Sequence, residues 1–281
     1  MTVMSSVFNP FAGHEPAVTS STATKRAVGR QFGRAAASYD AHAVLQLSCA
    51  RSLLAMAPES LPIPRAADLG CATAPLSRQQ QERWHEVRWL ALDLAPAMLQ
   101  EASQRGRTGR LFSPVCADAE ALPLPDRSLG LVFSSFALQW CDPAVVIAEA
   151  GRVLAPGGHL LLAVPLRDSL RELSESWKAA DRRPHVNDLP TMVQWHDALA
   201  TEGLSTVTQQ TLTVTQHYPD VRAIARTLKA TGADHVQGGG GGLTGKRAFR
   251  TMLDAYETLR TRDGLPLTWR VLFLHASKEV L

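Results

Sequence analysis

Two carboxylates and a run of small residues mark where this sequence can do chemistry. Asp68 lies in the short apolar run Arg65-Ala66-Ala67-Asp68-Leu69, which leads into Gly70-Cys71-Ala72-Thr73-Ala74-Pro75. Asp93 closes a second apolar run, Val87-Arg88-Trp89-Leu90-Ala91-Leu92. A carboxylate at the tip of a parallel strand lies at the carboxyl edge of the sheet, where it accepts hydrogen bonds from both hydroxyls of a ribose. Small residues in the preceding turn let backbone approach such a ligand. The pattern is a β-α-β unit with a tight turn after its first strand. The turn after this first strand is not the G-x-G-x-x-G run of dinucleotide-binding sheets.

The elements that must position these residues follow from periodicity. Lys25 to Met56 reads as helix, with Val28, Phe32 and Ala36 on one side, interrupted at Ser38-Tyr39-Asp40. A loop, residues 57–64, feeds the first strand. Helix is predicted from Ala95, with Pro96 near its start, and strands at Leu111 to Ala117 and Leu129 to Ser135. Asp142-Pro143 starts a helix that Pro156-Gly157-Gly158 stops, and His159 to Val164 is the fifth strand. Strands alternating with helices predict an α/β, doubly wound, mostly parallel sheet. Beyond Pro165, helices are predicted at Asp168 to Ala180 and Thr191 to Glu202. The last two strands are Val207 to Thr215 and Leu267 to His275, making seven. Helical segments Asp220 to Thr231 and Thr244 to Thr261 between them form a lid over the sheet's edge. The implied organisation is a disordered tail (1–24), an N-terminal helical lid segment (25–57), the core (58–217), the lid insertion (218–266) and a final core strand (267–281).

Composition restricts the partners. The chain has 281 residues, 45% hydrophobic and 20% charged, with a net charge of +3. That charge is too small to argue for nucleic acid. The sequence has no apolar run of membrane-spanning length and its N-terminus no signal-peptide core, so a cytoplasmic location is expected. The four cysteines, Cys49, Cys71, Cys116 and Cys141, are widely spaced and predict buried free thiols; no metal site is expected. Gly240-Gly241-Gly242-Leu243-Thr244-Gly245-Lys246 imitates a phosphate loop, but Arg247 stands where Ser or Thr would hold magnesium and no buried strand precedes it.

Five runs stand in order. The turn Asp68-Leu69-Gly70-Cys71-Ala72-Thr73-Ala74 resembles the D-x-G-x-G-x-G turn of class I S-adenosylmethionine-dependent methyltransferases, with alanine at the second and third glycines. Asp93-Leu94-Ala95-Pro96-Ala97-Met98-Leu99 resembles their D-x-S-x-x-M-L run, with alanine for serine. Asp118-Ala119 before Leu122-Pro123, Ser134 to Trp140, and Arg152 to Gly158 complete the series. The resemblance implies a Rossmann-like fold binding S-adenosylmethionine through Asp68, Gly70, Ala72, Asp93, Leu94, Met98, Asp118, Ala119 and Ser135. Asp118 would contact the adenine amino group, and Ser134 to Trp140 would face the reactive methyl.

The flanks are more specific. Val28 to Asp40, Leu170-Arg171-Glu172-Leu173 with Trp177 and Asp181, His185-Val186-Asn187, His217-Tyr218-Pro219-Asp220, Leu228 to Ala233 and Gly264 to Thr268 resemble the malonyl-acyl-carrier-protein O-methyltransferases of biotin synthesis. The resemblance implies methyl transfer to the free carboxylate of a malonyl thioester, on malonyl-acyl carrier protein or malonyl-coenzyme A. A carboxylate already ionised at neutral pH needs positioning and water exclusion rather than a general base. Tyr39 is the candidate closing over the cofactor, and Gln139, Arg182, Arg183 and His217 are candidates for orienting the acceptor. Arg222, Arg226, Lys229, Lys246, Arg247 and Arg250 recur at helical spacing and would dock an acidic carrier protein. Two alternatives stay open: a methyltransferase for another small carboxylate or a quinone, and a methyltransferase-like fold that only binds, which Ala72 and Ala74 motivate.

Overall fold

A computed structural model describes residues 22–181, 183–232 and 245–280. The apolar runs become the strands of one sheet: β1 (Arg65–Leu69), β2 (Arg88–Asp93), β3 (Phe112–Cys116), β4 (Leu129–Ser135), β5 (Leu154–Pro165), β6 (Leu204–Tyr218) and β7 (Leu265–Lys278). They lie in the order β3-β2-β1-β4-β5-β7-β6 as a seven-stranded sheet. Strands β1 to β5 run parallel, and β7 is antiparallel to both β5 and β6. From β1 the chain moves outward to β2 and β3, then returns to place β4 against the other side of β1. The carboxyl ends of β1 and β4 therefore flank a switch point, where open α/β sheets hold ligands.

The central strands are apolar along their length because helices cover both faces. In β4, Leu129 to Ser134 are all buried. Alternate residues go to opposite faces: Phe133 joins a cluster with Leu53, Trp89 and Phe273, and Val132 joins one with Ile147, Leu160 and Trp195. The helices are α1 (Thr22–Ala35), α2 (Tyr39–His42), α3 (Val44–Ala55), α4 (Ser77–Arg83), α5 (Pro96–Gln104), α6 (Pro143–Val153), α7 (Arg171–Lys178), α8 (Met192–Thr201), α9 (Val221–Ala230) and α10 (Lys246–Glu257). Asp142 caps α6 by accepting from Ala144 N–H with Pro143 in the first turn, and Thr191 with Gln194 forms a capping box on α8.

Several expectations shift. The strand β5 begins at Leu154, not His159, because Leu154 already pairs with Leu129. Gly157 at φ 74° carries the strand through an irregularity there. β6 and β7 outrun their expected bounds because they pair with each other from Leu204–Lys278 to Tyr218–Leu265. Helix α1 starts at Thr22, inside the segment expected to be tail; residues 1–21 lie outside the described residues. So do residues 233–244, including most of the phosphate-loop imitation. Cys49 and Cys71 are buried as expected, but Cys116 is exposed at the end of β3 and Cys141 is half-buried; all four thiols are free.

The lid takes its position from the long hairpin. Val271 of β7 pairs with Pro165, the last residue of β5, so Leu265 to Arg270 continue past the carboxyl edge. Helices α9 and α10 are carried there, α9 against α2 and α10 against α7. Among the described residues no helix is long and apolar enough to cross a membrane.

Candidate active site

The turn after β1 is the tightest part of the site. Gly70 has φ 68°, and a Cβ there would stand 2.1 Å from Ala137 Cβ, so only glycine fits. Ala72 and Ala74 both take φ 49°, the left-handed region that alanine disfavours by about 1–2 kcal/mol. The turn nevertheless closes. Gly70 and Cys71 N–H donate to Leu92 O at 2.8 and 2.9 Å. Asp93 Oδ2 accepts from Ala72 N–H at 2.9 Å and Oδ1 from Ala95 N–H at 2.8 Å. One carboxylate thus ties the turn to the start of α5, with lone pairs left for a ligand. Burial pushes Asp93 up to about 6, opposed by the N–H groups of Ala95, Ala72 and Leu94. Burial pushes Asp68 up to about 7 against the Gln80 amide, which donates to Asp68 Oδ2 at 2.9 Å.

Three cavities meet at this edge. One of about 90 Å³ runs along Asp93, Leu94, Asp118 and Ala119 beneath Val28. A second, of about 260 Å³, is lined by Asp68, Cys71 and Ser135 and shares Gly70 and Ala72 with the first. The third, about 350 Å³, lies under α9 and α10 and is walled by Phe136, Leu170, Ile224, Met252 and Trp269. Tyr39 lines all three. Its buried hydroxyl is pushed well above the usual phenol range, first by burial and then by Asp93, so it remains a proton donor.

The N-terminal segment is strapped over the first two cavities at both ends. Lys25 pairs with Asp118 at 2.5 Å and with Glu120. Asp40 accepts from Thr73 Oγ1 and pairs with Arg105 at 3.0 Å and Arg107 at 2.7 Å. Between them, Phe32 meets Trp140 edge-on with ring centroids 6.0 Å apart.

The cofactor candidates Gly70, Ala72, Asp93, Leu94, Asp118 and Ala119 share the first cavity, and Asp68 and Ser135 join at the second. Met98 does not line them; it is fully buried behind the turn, against Ala36, Tyr39 and Ala95. Tyr39, the candidate for closing over the cofactor, lines the third cavity as well, and of the acceptor candidates Gln139 lines it. Gln139 was expected to present an amide donor, but its Nε2 donates to Phe136 O at 2.9 Å and the buried atom without a partner is Oε1. His217 stands exposed on β6, outside these cavities, because strand alternation turns it from the lid. Arg183 is exposed, with its N–H on Asp181 Oδ1, and Arg182 lies outside the described residues. Arg222 and Lys229 reach the third cavity from α9, whereas Arg226, Lys246, Arg247 and Arg250 are exposed outside it.

Sequence reasoning assigned no role to Lys25, Trp177 or His185. Lys25 sits far along the chain from Asp118 and no local pattern links them. Trp177 and His185 line the third cavity with stacked rings, centroids 3.7 Å apart, and His185 Nε2 donates to Asp181 Oδ1 at 2.8 Å. The Arg183 N–H and then His185 hold the Asp181 carboxyl below the usual range. The i,i+4 spacing of Asp181 and His185 was the one visible signal. Among the described residues, no group of three or more His, Cys, Asp or Glu is placed to hold a metal ion.

Comparison with known proteins finds methyltransferases. Residues 67–162 match the family described as a methyltransferase domain. A malonyl-[acyl-carrier protein] O-methyltransferase of Alcanivorax borkumensis is 58% identical over 255 residues, covering 91% of this chain and 87% of the relative. One from Gallionella capsiferriformans is 38% identical over 263 residues, covering 90% of this chain and 91% of the relative. Among solved structures, geranyl diphosphate C-methyltransferase from Streptomyces coelicolor, a complex with S-adenosyl-L-homocysteine, superposes with a TM-score of 0.53 at 15% identity. That match covers 83% of this chain and 79% of that one, and it speaks for the fold alone.

Proposed function

The chain belongs to the malonyl-[acyl-carrier protein] O-methyltransferase family, and from that premise we propose that it methylates the free carboxylate of malonyl-acyl carrier protein using S-adenosylmethionine. The product is the methyl ester that starts pimeloyl synthesis for biotin. The observation carrying this reading is an apolar acceptor cavity that meets the nucleoside crevice at Tyr39, Phe136 and Trp140.

The residues present fit the cofactor. Gly70 closes the turn at the switch point, Asp93 has lone pairs for ribose hydroxyls, and Leu94, Ala119 and Leu138 form apolar walls beside Asp118 for a purine ring. Bound there, S-adenosylmethionine supplies an electrophilic methyl group on a sulfonium. The chain's contribution is placement. Tyr39 donates from the junction of the cavities, while Phe136, Trp140 and Trp269 exclude water that would solvate the attacking carboxylate. No residue takes a proton, because the nucleophile is already an anion.

Segments 25–57 and 218–266 act as two lids, and the thioester arm enters beneath α9. Arg222, Arg226 and Lys229 on α9, with Lys246, Arg247 and Arg250 on α10, present positive charge to an acidic carrier protein. The reading places the enzyme in the cytoplasm, where the thiols of Cys49, Cys71, Cys116 and Cys141 stay reduced. The test is the intact mass of malonyl-acyl carrier protein after incubation with this protein and S-adenosylmethionine. A gain of one methylene, removed by mild ester hydrolysis, is expected. No gain under conditions where a reference methyltransferase works refutes the reading.

A further inference from the structure

The third cavity contains a charge-bearing cluster that methyl transfer, as derived above, does not use. Helix α7 and the loop after it bring Trp177, Asp181 and His185 together. The ring planes of Trp177 and His185 lie 8° from parallel at a centroid distance of 3.7 Å, and Asp181 Oδ1 receives Nε2–H at 2.8 Å. The His185 side chain is 14% exposed, and its Nδ1 has no partner among the described residues. Stacking fixes the ring plane, and the Asp181 hydrogen bond fixes which nitrogen is committed.

The surrounding wall is apolar, so a carboxylate entering it gives up hydration and requires a fixed counter-charge. Among the described lining residues three side chains can supply positive charge. Arg222 and Lys229 are exposed on α9, while His185 is half-buried and held at two points.

We propose that His185 binds the carboxylate of the acceptor, with Asp181 and Trp177 as its positioning residues. The inference rests on the methyl-transfer reading and names the group that selects its substrate. Because Nε2–H is committed to Asp181, a carboxylate arriving at Nδ1 is held by the doubly protonated ring, sandwiched between two carboxylates. Trp177 offers its π face to that cation. One acceptor oxygen engages Nδ1–H and the other is left to attack. Once esterified, the acceptor has lost its charge and half of this pairing, which favours exchange of product for a fresh carboxylate.

The test compares two ligands differing only by the carboxylate, malonyl- and acetyl-acyl carrier protein, binding to the full chain saturated with S-adenosylhomocysteine. Wild-type protein is expected to prefer the malonyl form by about tenfold to a hundredfold, the range of a charge-assisted hydrogen bond. His185→Gln is expected to bring the two within about threefold. It does so by weakening malonyl binding while acetyl binding and S-adenosylhomocysteine affinity hold. Asp181→Asn should move the ratio the same way by a smaller factor, and it decides the matter if His185→Gln does not fold. A purely structural role would move both ligands together. Undiminished preference in the folded variant overturns the inference, as does a wild-type protein that methylates malonyl-acyl carrier protein without preferring it over the acetyl form. A wild-type protein that fails the mass assay instead refutes the parent reading.

Discussion

Replacing Ala72 by glycine, the residue its place in the turn would ordinarily favour, sets three known terms against one another. Ala72 sits at φ 49°, and releasing an L-residue from that region stabilises by about 1–2 kcal/mol. Against this stands its methyl group, buried among Ala36, Tyr39, Ala43, Ala95 and Met98, which contributes about 0.8 kcal/mol. Glycine also loosens the unfolded chain by about 0.4–1 kcal/mol. The terms nearly cancel, so Ala72→Gly is expected to leave Tm within about 3 °C of wild type. The local effects do not cancel. Strain relief stays within the turn, whereas the lost methyl contact lies between the turn and the N-terminal segment. Amide exchange, followed by mass spectrometry on peptides spanning Tyr39, should therefore quicken about fourfold, while β4 peptides are unchanged. The Ala72 N–H to Asp93 survives the change, so S-adenosylhomocysteine affinity by calorimetry should move less than about tenfold. A rise in Tm above about 5 °C, or unaltered exchange around Tyr39, would refute the reasoning that the alanine trades strain for packing on the lid.

Gly70→Ala adds a Cβ 2.1 Å from Ala137 Cβ at φ 68°, and left-handed strain with overpacking should destabilise by about 3 kcal/mol or more; thermal denaturation within about 2 °C of wild type would contradict this. Lys25→Ala removes the strap on Asp118 and Glu120 and should weaken S-adenosylhomocysteine about threefold to tenfold at low salt, with the gap closing near about 1 M salt; equal affinities at low salt would dismiss the strap. His275, bonded to His159 at 3.0 Å, is pushed down to about 4 by burial and then by His159. Its folded pKa is depressed, so the folded ring stays neutral while the unfolded chain takes up a proton near about pH 6.5. The stability it contributes is present above that pH and is lost as pH falls toward 4, by about 3 kcal/mol. The Tm of His275→Gln should accordingly fall less than wild type between about pH 7.5 and pH 4.5, and parallel curves would count against the assignment.

The features legible in the sequence are those that local pattern encodes. The turn from Asp68 to Ala74, Asp93 at a strand tip, the Asp142-Pro143 cap and the alternation of strands and helices each depend on neighbours a few residues away. The sheet and its nucleoside edge were legible from them. Strand ends were less legible where pairing, not composition, sets the boundary. Leu154 joins β5 because Leu129 pairs with it, and β6 extends to Leu204 and Tyr218, beyond the run Val207 to Thr215, because β7 lies beside it. Residue preference also argued against a left-handed Ala72, yet the Asp93 hydrogen bond and the packing of its methyl hold it there. Long-range packing made the third cavity. Its walls come from Tyr39, Phe136, Trp177, Ile224 and Trp269, residues that no periodicity connects, and the histidine that lines it is His185 rather than His217. Both histidines were visible in the sequence. The register of β6 turned one outward, and the path of the chain after α7 folded the other against Trp177, because long-range packing, and not residue type, decides which side chain meets a ligand.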